Sequence, residues 1–384
     1  MPFKSATIRS TSIIGLILPL LTLSSCTEQF WPELEELNQF VVVDGMVTNS
    51  PGPYTVTLAY SGAKSEPITN AEVFIIEEDG DRHLLIERYE GEYYSDSLAF
   101  QAKVGGSYRL EFMLEDGSLY ESPFSTILPN PGIDTVRGEA QWRYFDELQE
   151  EIPGYQFFVS SNPTPDNRDI FLLWQMEGTY EYTADYPAYY IFSGNLYSVD
   201  NIYEYYTCWR TYKLSQMVAA DTRSLQQKQV IGKPLVFLKG NDKKLSHRYS
   251  LLTRQLSVNK ETYEFWEAVI EQGFPSASLY SAQPYLIKGN VSNTQDPEEP
   301  VLGYFTVAGA SESRIYQNNP PEFEVTYNTC ALDYDSIRWI WGLPPSEWPI
   351  FITQGDEGLA LSGDGCIDCR AAGGQLTPPD WWVE

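Results

Sequence analysis

The sequence predicts a mostly β protein, with a β-sandwich followed by a larger β-rich domain that holds one short helix. Three observations lead there. Short β-branched and aromatic runs recur from residue 39 onward, and Asp-Gly pairs separate neighbouring runs at two places. One segment only, after Asn259, has helical periodicity in place of strand alternation.

The N-terminus is set apart from this fold. Lys4 and Arg9 precede an apolar run from Ile13 to Leu23, which is too short to span a bilayer as a helix and suits a signal-peptide core. Leu23-Ser24-Ser25-Cys26 follows and resembles a bacterial lipobox. In such signals the cysteine is acylated and becomes the new N-terminus, so the resemblance implies residues 1–25 as a lipoprotein signal peptide and Cys26 as the lipidation site. Two or more acyl chains hold a protein stably where one does not. Residues 26–38 form an acidic tether with Glu28, Glu33, Glu35 and Glu36 and no basic residue. Acidic residues at this place resemble the surface-export signal of Bacteroidota lipoproteins. The expected location is the outer membrane, lipid-anchored and exposed at the cell surface.

Residues 39–128 read as the sandwich. Tyr54 to Tyr60 alternates large apolar with small or polar residues, as a half-buried strand does. Runs on either side of Glu78-Asp79-Gly80-Asp81 and of Glu115-Asp116-Gly117-Ser118 predict two hairpins, because glycine accepts the positive φ of the turn. About seven short strands in this stretch fit a sandwich. Gly91-Glu92-Tyr93-Tyr94 and Gly105 to Leu110, with their flanking strands, resemble an Ig-like or prealbumin-like module. The turn-rich Leu128-Pro129-Asn130-Pro131-Gly132 is expected to end that domain, and residues 133–384 to form the second. Strands are expected at Tyr155 to Ser160, Ile170 to Gly178, Tyr189 to Phe192, Tyr203 to Leu214, Pro234 to Leu238 and Leu245 to Val258. Asn259 can cap a helix over Lys260 to Gln272, where Tyr263, Trp266 and Ile270 share a face and Gly273 stops the run. Those aromatics read as core.

Composition excludes several functions. The formal net charge is −28, and the signal peptide contributes basic residues and no acidic ones. Such a surface repels phosphate backbones, so no nucleic-acid partner is expected. The chain has two histidines, His83 and His247, in separate expected domains, which argues against a histidine metal site or a Ser-His-Asp triad. No P-loop or dinucleotide fingerprint occurs. Asp356, Glu357, Asp364 and Asp368 lack the spacing of a calcium loop and read as a solvated loop. No catalytic residue, metal or cofactor is expected.

With Cys26 lipidated, Cys208, Cys330, Cys366 and Cys369 remain, an even number that favours disulfides in an exported chain. Sequence does not choose among the three connectivities. The preferred pairing is Cys366–Cys369 with Cys208–Cys330, since a Cys-x-x-Cys loop can close locally. A thioredoxin-type redox site and a four-cysteine zinc site fit this Gly-rich context less well.

Nine tyrosines crowd residues 180–206, with Trp209 just after. Tyrosine joins a flat apolar face to a hydroxyl and suits sugar or peptide surfaces, while packing across a sheet is the alternative use. Strand alternation puts Tyr206 on the same side as Glu204, away from Tyr203 and Tyr205. Tyr206, with Tyr189 and Tyr190 beside Pro187, are therefore the candidate ligand-binding residues.

Gln283 to Val291, Pro297 to Phe305, Arg314-Ile315-Tyr316 and the terminus from Cys366 to Trp382 together resemble the domain-of-unknown-function 4249 family of Bacteroidota outer-membrane lipoproteins. Val41 to Gly45 and Gly52 to Val56 fit as well. Members often lie near genes for TonB-dependent transporters. The resemblance implies a non-catalytic binding accessory to such an uptake system, anchored in the membrane and engaging the transporter and a glycan or peptide ligand. The alternatives are a cell-surface hydrolase acting on polymer and a structural or assembly lipoprotein that binds only protein.

Overall fold

A computed structural model describes residues 39–62, 64–164, 166–273 and 286–382. Cys26, the signal peptide, the tether and Gln283-Pro284-Tyr285 lie outside the described residues.

The protein is mostly β, as the alternation predicts. Both Asp-Gly hairpins form: Glu72–Glu77 pairs with Arg82–Tyr89, and Ser107–Met113 pairs with Leu119–Glu121. Gly80 and Gly117 carry φ of 103° and 87° at the turns, a region closed to most side chains. On Val41–Thr48, Val41, Val43 and Val47 enter the first core while Asp44 and Met46 face the other way. The helix forms as Lys260–Gly273, and Asn259 Oδ1 accepts the Thr262 N–H at 2.8 Å as its cap. Tyr263 is buried and Trp266 packs beside it. No helix among the described residues is long and apolar enough to cross a membrane.

One large sheet runs through both halves of the chain. Val41–Thr48 lies at its middle, antiparallel to Thr55–Tyr60 on one side and parallel to Leu302–Asn318 on the other. Leu302–Asn318 continues antiparallel to Arg248–Val258, which pairs with Phe171–Thr183, and Thr207–Lys213 follows. A separate sheet of Ile133–Phe145, Glu150–Ser161 and Lys233–Lys239 packs on one face. There Phe157 and Val159 meet Leu172, Trp174 and Tyr249 in a second core. The helix covers the other face, over Leu173, Leu256 and Ala308. Burial on both faces explains why Phe171–Thr183 is apolar almost throughout.

The division expected at residues 128–133 does not separate two independent cores. The first core draws Val291, Val301, Phe305 and Val307 from the far end of the chain. The link itself is clamped to the large sheet. Asn130 Nδ2 donates to the carbonyls of Gln255 (2.9 Å) and Gly309 (2.7 Å), and its Oδ1 accepts from Gln255 Nε2 (2.9 Å). Buried Gln255 also accepts from the indole of buried Trp174 at 3.1 Å. Gly309 is required at this crossing, because a Cβ there would collide with the Leu128 carbonyl oxygen. Asn130→Ala strands several of these groups, and a loss of about 2–3 kcal/mol is expected in urea unfolding. A loss within 0.5 kcal/mol, the usual range of a surface change, would show the link to be a passive spacer.

Candidate aromatic binding surface

The tyrosine-rich segment leads into a small satellite sheet. Tyr190–Phe192 pairs with Leu196–Ser198 on one side and Ile350–Gly355 on the other, and Gly358–Ala360 completes it. Its own core is Phe192, Ile340 and Ile352. Ile340 comes from the 3-10 segment Ser336–Gly342, whose Trp341 packs against Phe192 of the sheet. Asp333 starts that segment: its carboxylate accepts the Asp335 and Ser336 N–H groups at 2.9 and 3.0 Å. The hydrogen bonds from Ser336 and Asp335 hold this carboxyl below the usual carboxylate range. Its main chain exchanges two hydrogen bonds with Leu361. Pro344 and Pro345 follow and prevent the helix from continuing.

Within Ser336–Gly342, apolar side chains divide between core and solvent. Ile340 is buried, whereas Trp339 is 74% and Trp341 60% exposed. Trp341 stands edge-on to Phe192 at 4.8 Å between centroids, so its ring is held from one side and open on the other. Leu343 is also exposed, and beside it a hollow of about 200 Å³ carries the carboxylates of Glu347 and Asp364. Exposed Leu196 pairs with Phe192 across the hairpin. The result is two exposed indoles on one short segment, with acceptor groups in a hollow close by along the chain. Such an arrangement can stack on flat apolar groups and take hydrogen bonds from hydroxyls or amides.

Two disulfides lie beside the satellite sheet: one joins the terminal segment to the second core, and the other links the segments that precede and follow the sheet's C-terminal strands. All four cysteines are oxidised, but the pairing differs from the expected one: Cys208 bonds Cys369 and Cys330 bonds Cys366. The local Cys366–Cys369 bridge fails because the chain changes direction between the two residues. Cys366 sits in the short helical turn Asp364–Ile367, Asp368 is extended, and Cys369 opens a separate 3-10 turn. Cys369 meets Cys208 on Thr207–Lys213, and Cys366 meets the loop at Cys330. An acid, Asp185, lies against the second bridge, with its carboxylate near both sulfurs. Oxidised sulfurs offer no thiolate, so these three residues form a structural knot. Asp185 pairs with Lys243 Nζ at 2.5 Å and accepts the Cys330 N–H at 2.7 Å, with its side chain 2% exposed.

Some of the tyrosines serve this knot. Tyr182 donates to the Cys369 carbonyl and Tyr186 to the Cys330 carbonyl, each at 2.6 Å. Burial pushes the Tyr182 hydroxyl up to about 12. Tyr205 lies under the Arg370 guanidinium and against Phe351. The candidates Tyr189, Tyr190 and Tyr206 are all half-buried. Tyr190 packs on the satellite core and Tyr206 on the second core. The strand expected from Tyr203 begins only at Thr207, and the preceding residues form turns. Alternation therefore does not apply, and Tyr203, not Tyr206, is the exposed ring. The indoles at 339 and 341 were missed because Trp-x-Trp in a short 3-10 segment has no strand or helix period. The one available signal was two large apolar residues flanking Ile340 just before a Pro-Pro stop.

A search of curated proteins returns no match. The family model described as domain of unknown function (DUF4249) matches residues 27–314, which takes in the large sheet up to Arg314 and stops short of the exposed indoles. On that match the chain belongs to the DUF4249 family.

Proposed function

We propose that this chain is a lipid-anchored binding protein of the outer-membrane surface, which captures a glycan or peptide without chemistry as an accessory to a TonB-dependent transporter. The observation that carries the binding role is the pair Trp339 and Trp341, exposed on a short 3-10 segment beside the satellite sheet, with a disulfide linking the segments on either side of the sheet's C-terminal strands. Rigid aromatic contacts lose little conformational freedom on binding and dominate interface energies. The lipobox-like Leu23-Ser24-Ser25-Cys26 supports the anchor, and the disulfides suit an oxidising compartment.

Two measurements test this. Cys26→Ala is expected to move the protein from membranes to the soluble fraction; retention after a salt wash would end the anchoring proposal. Trp339→Ala with Trp341→Ala is expected to leave the melting temperature nearly unchanged. On glycan and peptide arrays it should weaken capture roughly 30-fold, about 2 kcal/mol. Equal capture by wild type and variant would remove the surface from consideration.

A further inference from the structure

The large sheet carries a second concavity, remote in sequence from the indoles. Asp44 and Met46 project from Val41–Thr48 into a groove of about 360 Å³, which an adjoining hollow of about 420 Å³ extends. Both spaces are lined by Asp44, Met46, Gln175, Lys213 and Arg254. These volumes fall in the range of small-ligand sites.

The ionisable groups of the groove are unequal. Arg254 pairs with Glu312 at 2.6 Å, Glu177 with Arg314 at 3.6 Å, and Glu92 accepts from the Tyr94 hydroxyl at 2.5 Å. The Asp44 and Lys213 side chains make no hydrogen bond or ion pair among the described residues. Asp44 is open to water at the groove, yet the enclosing walls remove part of its hydration and push its carboxyl above the usual range. The charge of Lys213 acts on it in the opposite direction from a distance.

Their strands explain why they do not meet. Thr207–Lys213 and Val41–Thr48 stand four steps apart in the sheet, with three strands between them. That gap admits a molecule with a cation at one end and an anion at the other. Part of its wall is apolar and adaptable. Met46, Met176 and Met217, three of the five methionines in the chain, line it together with Trp266. Unbranched methionine re-packs around varied apolar groups.

We propose that this groove binds short peptides with free ends, with the ammonium on Asp44, the carboxylate on Lys213 and apolar side chains against Trp266 and the methionines. A blocked peptide lacks the charges that the groove leaves unmatched.

The test is calorimetric titration of the mature chain with Leu-Leu and Leu-Leu-Leu. The same peptides blocked at one end by acetylation or amidation, and free leucine, serve as comparisons. Free-ended peptide is expected to bind, and blocking either end should weaken it at least tenfold. Asp44→Asn and Lys213→Met should each do the same. Asp44→Asn should also hold or raise the melting temperature near neutral pH, since it removes a poorly hydrated charge, whereas a structural role would lower it. Trp339→Ala with Trp341→Ala should bind Leu-Leu as wild type does, which separates this groove from the exposed indoles. The proposal is overturned if free-ended peptides do not bind at millimolar concentration, or if blocked and free peptides bind alike. The blocked peptides need no variant, so the outcome does not depend on a substituted chain folding.

Discussion

Replacing Cys208 and Cys369 together by alanine is expected to lower stability by about 4–5 kcal/mol. The bond joins residues 161 apart in sequence, and both cysteines are fully buried between the second core and the terminal segment. Closing so long a loop restricts the unfolded chain strongly. The Cys330–Cys366 bond spans 36 residues, and its removal should cost about 1 kcal/mol less by the same reasoning. Urea unfolding of the two double variants gives the order directly. A larger loss from Cys330–Cys366 would mean that local packing of the satellite sheet, not chain restriction, dominates. Peptide mapping without reductant supplies the companion check: linked fragments should join Cys208 to Cys369 and Cys330 to Cys366, with no thiol free for alkylation.

Asp185→Ala is expected to cost about 3–5 kcal/mol. The substitution leaves the Lys243 ammonium without its partner and the Cys330 N–H without its acceptor, in a site where the carboxylate was almost wholly buried. Lys243 still has the Thr183 carbonyl at 3.3 Å and lies over the Tyr327 ring, so part of its charge is compensated. Replacing both partners, as Asp185→Leu with Lys243→Met, should recover much of the loss, because no lone buried charge remains. Thermal melts of the single and double variants read this out. A double variant as unstable as Asp185→Ala would show that the Cys330 N–H contact, not the stranded charge, carries the effect.

The parts of the fold that sequence made legible are those fixed by neighbours in the chain. Asp79-Gly80 and Asp116-Gly117 produced their hairpins because turn geometry is local. Asn259 capped its helix because the capped N–H, that of Thr262, lies three residues on. Long-range pairing left no such mark. Nothing in Val41 to Val47 announces a parallel partner at Leu302 to Ala308, and the join that merges the two halves depends on that pairing. Leu128 to Gly132 reads as a linker by composition, yet Asn130 is committed to Gln255 and Gly309, which are distant in sequence. The cysteine number predicted oxidation, while the pairing depended on a change of chain direction at Asp368. The crowding of tyrosines did mark a special region. The hydroxyls of Tyr182 and Tyr186 support the disulfides there, Tyr197 and Tyr203 are exposed, and the more exposed indoles came later, at Trp339 and Trp341.

Oxidative footprinting of the mature protein, with and without soluble extracellular glycan and peptide fractions, tests the proposed binding surface most directly. Trp142, 52% exposed on the three-stranded sheet, serves as an internal reference. Ligand is predicted to protect Trp339 and Trp341 from oxidation and to leave Trp142 unchanged. Bound ligand that leaves both indoles as reactive as before, or protects Trp142 equally, would contradict the assignment of the satellite sheet as the site of capture.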